Sequence, residues 1–98
     1  MHPVNRKRGG EVRLMASITI KYFASLREAL GMSEQLVDIA VPASVKTVLE
    51  QVAKESTSFA EYFQQSPVLV AVNQAIVSMD FNVNDGDELA VFPPVTGG

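Results

Sequence analysis

The clearest helix signal in the chain is Ser44-Val45-Lys46-Thr47-Val48-Leu49-Glu50-Gln51-Val52-Ala53-Lys54 (residues 44–54), and it lies among segments that mostly predict strands. One face of this segment is apolar at the i, i+3, i+4 and i+7 spacing of a helix: Val45, Val48, Leu49 and Val52. Ser44 suits the N-cap position, where its hydroxyl can accept a backbone hydrogen bond. The pattern predicts one main amphipathic helix with a single face to bury.

Strand-like segments lie on both sides of this helix. Alternating or β-branched residues predict strands at Ser17–Phe23, Leu36–Val41, Val68–Val72, Ala75–Val77 and Glu88–Phe92. The Val68–Val72 run is apolar throughout, which favours burial on both faces. A short helix is expected at Ala24–Leu30 and ends before Gly31. A further helical turn is expected at Phe59–Phe63.

The turn Asp85-Gly86-Asp87 precedes the last predicted strand. A calcium loop would need a longer series of ligands, so the turn is expected to position the strand rather than to bind metal. The element order, β-(short α)-β-α-β-β-β, predicts an α+β fold in which a mixed sheet packs on one main helix. This is the β-grasp, or ubiquitin-like, arrangement.

Charge divides the chain into two parts. Residues 1–14 carry four basic side chains and one acidic one, whereas residues 15–98 carry four basic and ten acidic. We expect residues 1–14 to be a disordered N-terminal extension and residues 15–98 to form a single small domain with a flexible C-terminal tail. The acidic body argues against nucleic-acid binding, which needs clustered Lys and Arg.

Composition excludes several classes of function. The chain has no cysteine and one histidine, His2, so it offers no disulfide, no thiolate nucleophile and no plausible zinc site in its folded part. No run approaches the ~18 apolar residues of a membrane span. No apolar secretory segment precedes Leu14, and a cytoplasmic location is therefore expected. A reactive group, if there is one, must be the C-terminus or belong to a partner.

The C-terminus itself is unusual. Pro93 and Pro94 favour an extended arm, and the six residues from Pro93 to Gly98 can reach at most about 20 Å. Gly97 and Gly98 have no side chain that would obstruct the approach of another molecule. The tail is thus a stiff spacer that ends in a slim carboxylate and suits insertion into a narrow active site. The alternative is an ordinary frayed end.

Several blocks together resemble a known family. They are Tyr22-Phe23-Ala24-Ser25-Leu26-Arg27-Glu28, Ala71-Val72-Asn73-Gln74, Val77-Ser78-Met79-Asp80, and the terminal block from Asp85-Gly86-Asp87-Glu88 to Phe92-Pro93-Pro94-Val95-Thr96-Gly97-Gly98. In these blocks the chain resembles the small, sulfur-carrying subunit of molybdopterin synthase. The resemblance covers about Ile18 to Gly98, and only the first residues lie outside it.

The resemblance implies a non-catalytic, ubiquitin-like carrier in molybdenum cofactor biosynthesis. In that family an adenylyltransferase related to ubiquitin-activating enzymes uses ATP to adenylate the C-terminal glycine, and a sulfur-donating enzyme helps convert it to a thiocarboxylate. The carrier then gives its sulfur to cyclic pyranopterin monophosphate within the large synthase subunit, in a heterotetramer. No cofactor is expected to bind the carrier stably, and catalysis is expected in the large subunit.

The family also implies functional positions. Gly98 corresponds to the adenylation and thiocarboxylate site, with Gly97 beside it. The expected partner-binding residues are Phe23, Arg27, Ile76, Phe92, Pro93, Pro94, Val95 and Thr96. Taken without the resemblance, Phe23 and Phe92 at strand ends favour the core instead, because aromatic residues are commonly buried.

Three alternative functions stay open at this point. One is a carrier that serves thiamine synthesis or tRNA thiolation; such carriers also end in Gly-Gly but generally lack the Phe-Pro-Pro-Val-Thr approach. Another is a ubiquitin-type protein modifier, which covalent conjugates on lysines would reveal. The last is an interaction module with an inert tail, which would bind partners without an activating enzyme or ATP.

Overall fold

Eight strands and three helices form in the part of the chain that the computed structural model describes, residues 4–8 and 11–94, with side chains from residue 14 onward. The strands are β1 Val4–Arg8, β2 Glu11–Tyr22, β3 Glu34–Ala40, β4 Ala43–Ser44, β5 Leu69–Val72, β6 Ala75–Val77, β7 Asn82–Val83 and β8 Glu88–Phe92. The helices are α1 Ala24–Leu30, α2 Val45–Glu55 and α3 Thr57–Gln65.

A mixed sheet organises the molecule. Its strand order is β1-β2-β8-β5-β6, and β3 also pairs with β2. The first and last long strands, β2 and β8, run parallel, whereas the remaining pairs of this sheet are antiparallel. Two short strands, β4 and β7, form a separate ladder beside α2. This is the α+β, β-grasp arrangement that the element order predicted.

The hydrophobic core lies between the sheet and the helices. The predicted apolar stripe of α2 is confirmed, since Val45, Val48, Leu49 and Val52 are at most 2% exposed. They pack with the alternate residues of the strands that face them: Ile18, Ile20, Tyr22, Val37, Ile39, Val70, Val72, Leu89 and Val91. One face of the sheet is therefore covered by helices, and we call it the inner face.

The helix ends follow their local sequence. Ser44 Oγ accepts a hydrogen bond from the Thr47 backbone N–H at 3.2 Å, which confirms it as the N-cap of α2. Gly31 ends α1 in the left-handed conformation, with φ of 69°. The helical turn expected near Phe59 is longer than predicted, because Ser56 caps α3 through its hydroxyl and the helix continues to Gln65.

The N-terminal region differs from the expectation of disorder. Strand β2 begins at Glu11 rather than at Ser17, and its first residues pair with β1 in register, from Val4↔Met15 to Arg8↔Glu11. The polar, basic composition suggested no structure, but an antiparallel ladder needs only backbone groups, which every residue here provides. The division of the chain at residue 15 stays a prediction.

The Asp85-Gly86-Asp87 turn holds the start of β8 in place through hydrogen bonds. Gly86 has φ of 87°, a conformation that favours glycine. Asp85 Oδ1 accepts from the Ser17 backbone N–H at 2.7 Å, and Asp87 Oδ2 accepts from the Asn84 backbone N–H at 2.7 Å. Both carboxylates thus fasten the start of β8, as the turn interpretation predicted.

Candidate functional site

The other face of the sheet, which we call the outer face, presents apolar residues in rows set by strand register. Ala90 lies opposite Ala71, which lies opposite Ile76, across β8, β5 and β6. Phe92 and Leu69 form the next row. Residues directly opposite each other point to the same side of a sheet, so these five side chains share one surface.

This surface is open in the described part of the chain. Ile76 is 66% exposed and Leu69 is 39% exposed, although Ala71 between them is buried. The prediction that Val68–Val72 is buried on both faces is therefore wrong at Leu69. The helices cover only the inner face, and large side chains on the outer face reach solvent.

Phe23 joins the outer face through a sharp change of backbone direction. Its N–H continues the β2–β8 pairing by donating to the Val91 carbonyl at 3.2 Å, and α1 then starts at once. Ala24 makes this reversal in the left-handed region, with φ of 55°. The Phe23 ring meets Phe92 edge-to-face, with centroids 6.4 Å apart and planes at 83°. Phe23 stays 44% exposed.

These residues line an open groove of about 760 Å³. Its walls are formed by Phe23, Ala24, Ala71, Gln74, Ile76, Ala90, Phe92, Pro93 and Pro94. The structure thus brings together five of the residues that the resemblance assigned to partner binding. Pro93 and Pro94 place the beginning of the tail at the rim of this groove. Aromatic, aliphatic and proline side chains of this kind suit the binding of another protein.

The remaining predicted site residues are placed differently. Arg27 is exposed on α1 and does not line the groove, so its expected polar contact stays a prediction. Val95, Thr96, Gly97 and Gly98 lie outside the described residues.

Four groove residues were not assigned from the sequence: Ala24, Ala71, Gln74 and Ala90. Strand alternation could have found two of them, since Ala71 and Ala90 are two positions from Leu69 and Phe92 on the same strands. Ala24 is the first residue of α1 and Gln74 lies in the turn between β5 and β6, and no periodic signal points to either.

Charge lies beside the groove rather than within it. Lys21 Nζ and Glu88 Oε2 form an ion pair at 3.3 Å, with both side chains 38% exposed. Lys21 is the neighbour of Ala90 in the next strand, so the pair borders the apolar surface. On the inner face, burial raises the pKa of Tyr22 to about 12, and its hydroxyl donates to Gln35 Oε1 at 2.8 Å.

The described helices are shorter than a bilayer is thick. The longest helix within residues 4–8 and 11–94 is α2, with 11 residues, and none of the described helices is long and apolar enough to cross a membrane.

Comparison with known proteins places the chain in a family. The sequence model of the ThiS family matches residues 20–98. The chain belongs to the ThiS family. Within this family it is 40% identical, over 81 residues, to the molybdopterin synthase sulfur carrier subunit of Escherichia coli, which covers 83% of this chain and 99% of the relative. The predicted resemblance to molybdopterin synthase sulfur carriers is thereby confirmed.

Solved structures support the fold of this ThiS family member. A putative molybdopterin converting factor subunit 1 from Pyrococcus furiosus superposes with a TM-score of 0.71 at 34% identity, over 82% of this chain and 99% of that one. A chain in a complex of subunits 1 and 2 of the Helicobacter pylori molybdopterin-converting factor superposes with a TM-score of 0.60. That match covers 84% of this chain and 99% of that one at 17% identity, and it shows the fold alone.

Proposed function

We propose that this chain carries sulfur for molybdenum cofactor synthesis as a thiocarboxylate on Gly98. The observation that carries the proposal is the position of Pro93 and Pro94 at the rim of the apolar groove. A partner that covers the groove also covers the start of the tail. Gly98 follows Pro94 by four residues, so its carboxylate can reach at most roughly 14 Å beyond that point.

The tail chemistry requires activation by another protein. A C-terminal carboxyl has a pKa of roughly 3.3–3.7, so at neutral pH it is an anion and a poor electrophile. Adenylation by ATP releases pyrophosphate and gives the carbonyl carbon a leaving group. A sulfur nucleophile at the oxidation level of hydrosulfide can then add to that carbon and displace AMP. The product is a terminal thiocarboxylate, the group that the carrier would deliver.

The groove supplies binding rather than catalysis. Its lining residues bear no carboxylate, amine or imidazole that could act as a general acid or base. We therefore propose that the large synthase subunit covers the outer face, receives the tail and performs the sulfur transfer to cyclic pyranopterin monophosphate. The Escherichia coli relative, a sulfur carrier subunit of molybdopterin synthase at 40% identity, supports another subunit of that enzyme as the partner. The activating adenylyltransferase and the sulfur-donating enzyme are proposed from the tail chemistry alone.

The proposal is tested at the last residue. Incubation with an activating enzyme, ATP and a sulfur source should increase the intact mass of the wild-type chain by one oxygen-to-sulfur exchange. Deleting Gly98, or adding one residue after it, should leave thermal stability unchanged. Either change moves the reacting carbon by one residue, about 3.5 Å. Sulfur transfer should then fall by on the order of 100-fold or more. Normal molybdopterin formation by either variant would overturn the proposal.

A further inference from the structure

Gln74 differs from every other residue that lines the groove. Among the nine lining residues it alone has a polar side chain. The side chain is exposed, and its carboxamide has no hydrogen-bond partner among the described residues. A carboxamide offers both a donor and an acceptor. The Gln74 carboxamide is therefore a polar group beside an apolar surface, available to hydrogen-bond with a bound partner.

The backbone holds Gln74 in an unusual conformation. It is the second residue of the two-residue turn between β5 and β6, and both turn residues have positive φ, 49° at Asn73 and 71° at Gln74. Such a hairpin turn strongly prefers glycine at its second position, because a side chain there is strained. Glutamine therefore occupies a position at which the backbone conformation favours glycine.

The turn is fastened to the rest of the sheet by the side chain of Asn73. Its Nδ2 donates to Asp87 Oδ1 at 3.0 Å, and its Oδ1 accepts from the Glu88 backbone N–H at 3.0 Å. The Asn73 backbone N–H donates to the Glu88 carbonyl at 2.9 Å. Three hydrogen bonds thus fix the first turn residue, so Gln74 is held beside the groove by a rigid support.

We infer that Gln74 determines partner specificity by pairing with a neutral polar group of the large subunit that both donates and accepts, such as a main-chain peptide unit. The inference rests on the proposed docking of the large subunit at this groove. When a partner covers the groove, the carboxamide loses its water, and an unpaired buried amide weakens binding by roughly five- to 150-fold. A partner with a matching peptide group is accepted, and a purely apolar partner is rejected.

Three substitutions at Gln74 test separately the contributions of the amide group, of the turn conformation and of charge to binding. Gln74→Met keeps the length of the side chain but removes the amide. Gln74→Gly removes the side chain and relieves the positive-φ strain, so it should fold at least as well as wild type. Gln74→Glu keeps the shape but replaces the donor by a negative charge, which would strengthen binding only to a cationic partner group.

The affinity of each variant for purified large subunit is measured by calorimetry, alongside its thermal midpoint. We expect Met, Gly and Glu at position 74 each to weaken binding about tenfold or more, mainly through faster dissociation, with thermal midpoints at or above wild type for Gly. Affinity within threefold of wild type for Met and Gly, or tighter binding by Glu, would overturn the inference.

Two apolar variants keep this test distinct from the test of the proposed function. Phe92→Ala and Ile76→Ala remove groove surface without touching the amide. If both weaken binding while the Gln74 variants do not, docking at the groove stands and the role of Gln74 is wrong. If neither apolar variant weakens binding, the proposed docking face itself is wrong, and the inference fails with it.

Discussion

Along β5 and most of β8, the two faces of the sheet have similar residue types but opposite surroundings. The inner face packs against the helices, so Ile20 and Val91 are completely buried, whereas the outer face leaves Ile76 66% exposed. From Leu89 to Phe92 both faces of β8 are apolar, with Leu89 and Val91 pointing inward and Ala90 and Phe92 pointing outward. Apolar residues on an uncovered face of a small domain mark a partner site. Hydrophobicity alone therefore does not separate the core from a docking surface.

The largest expected effect comes from making the same substitution on the two sides of the sheet, at Phe59 of α3, which packs against the inner face, and at Phe92 on the outer face. Phe59→Ala, at a ring that is 1% exposed on the inner side, should lower the free energy of unfolding by about 3–5 kcal/mol. Phe92→Ala removes a half-buried ring and its edge-to-face contact with Phe23, and should cost only about 1–2 kcal/mol. Urea denaturation of both variants measures the two values.

Binding should show the reverse order. Phe92→Ala should weaken large-subunit binding by tenfold or more, as expected for an aromatic anchor. If Phe92→Ala instead destabilises the fold as much as Phe59→Ala, Phe92 belongs to the core and the distinction between the faces is lost.

An effect of intermediate size on the free energy of unfolding is expected at alkaline pH, where Tyr22 on the inner face loses its proton. The pKa of Tyr22 is raised to about 12 by burial, above its unfolded value of 10.0, so the folded state keeps the proton longer. This contribution to stability is fully present below pH 10 and is lost as pH rises from about 10 to 12. We expect the free energy of unfolding to fall by about 1–2 kcal/mol over this range. This is less than the full difference in pKa would give, because Gln35, which accepts the hydrogen bond of the hydroxyl, is only half-buried and solvent weakens the effect.

Tyr22→Phe tests this dependence directly. The variant removes the titrating hydroxyl, so its unfolding free energy should decline less between pH 10 and 12 than that of wild type. Tyr62→Phe is the matched control and should keep the full decline, since Tyr22 is still present. Equal declines in wild type and Tyr22→Phe would show that another group controls alkaline unfolding.

The smallest effect is expected at the N-terminal hairpin. A chain that starts at Met15 loses β1 and the first four residues of β2, but retains the pairing of Met15 with Ala40. A two-stranded hairpin is marginal by itself, so its removal should change the free energy of unfolding by no more than about 1 kcal/mol. Sulfur transfer should be unchanged. A large loss of either property would make the hairpin part of the functional domain.

Local patterns predicted most elements of the fold. The apolar spacing of α2, the Ser44 cap, the left-handed Gly31 and the Asp85–Asp87 turn each depend on neighbouring residues, and all are confirmed. The strand β1 was missed because its basic sequence has no apolar alternation, and α3 was underestimated because its cap, Ser56, was not considered.

The candidate site was predicted only in part. Phe23, Ile76 and Phe92 came from a family resemblance, since aromatic residues at strand ends favour the core when judged by type. The contribution of Gln74 was not predicted, because its place beside the groove follows from the pairing of β5 with both β6 and β8.

Composition and neighbouring residues are enough to predict most of the helices and strands, the Gly97-Gly98 pair and the lack of cysteine, because these depend on residues close together in the chain. Only the tertiary structure decided which apolar residues are core and which form a docking groove. That distinction depends on which face of the sheet the helices cover and on the register that aligns Ala90, Ala71 and Ile76. Both are set by contacts between residues far apart in the chain, which no local pattern encodes.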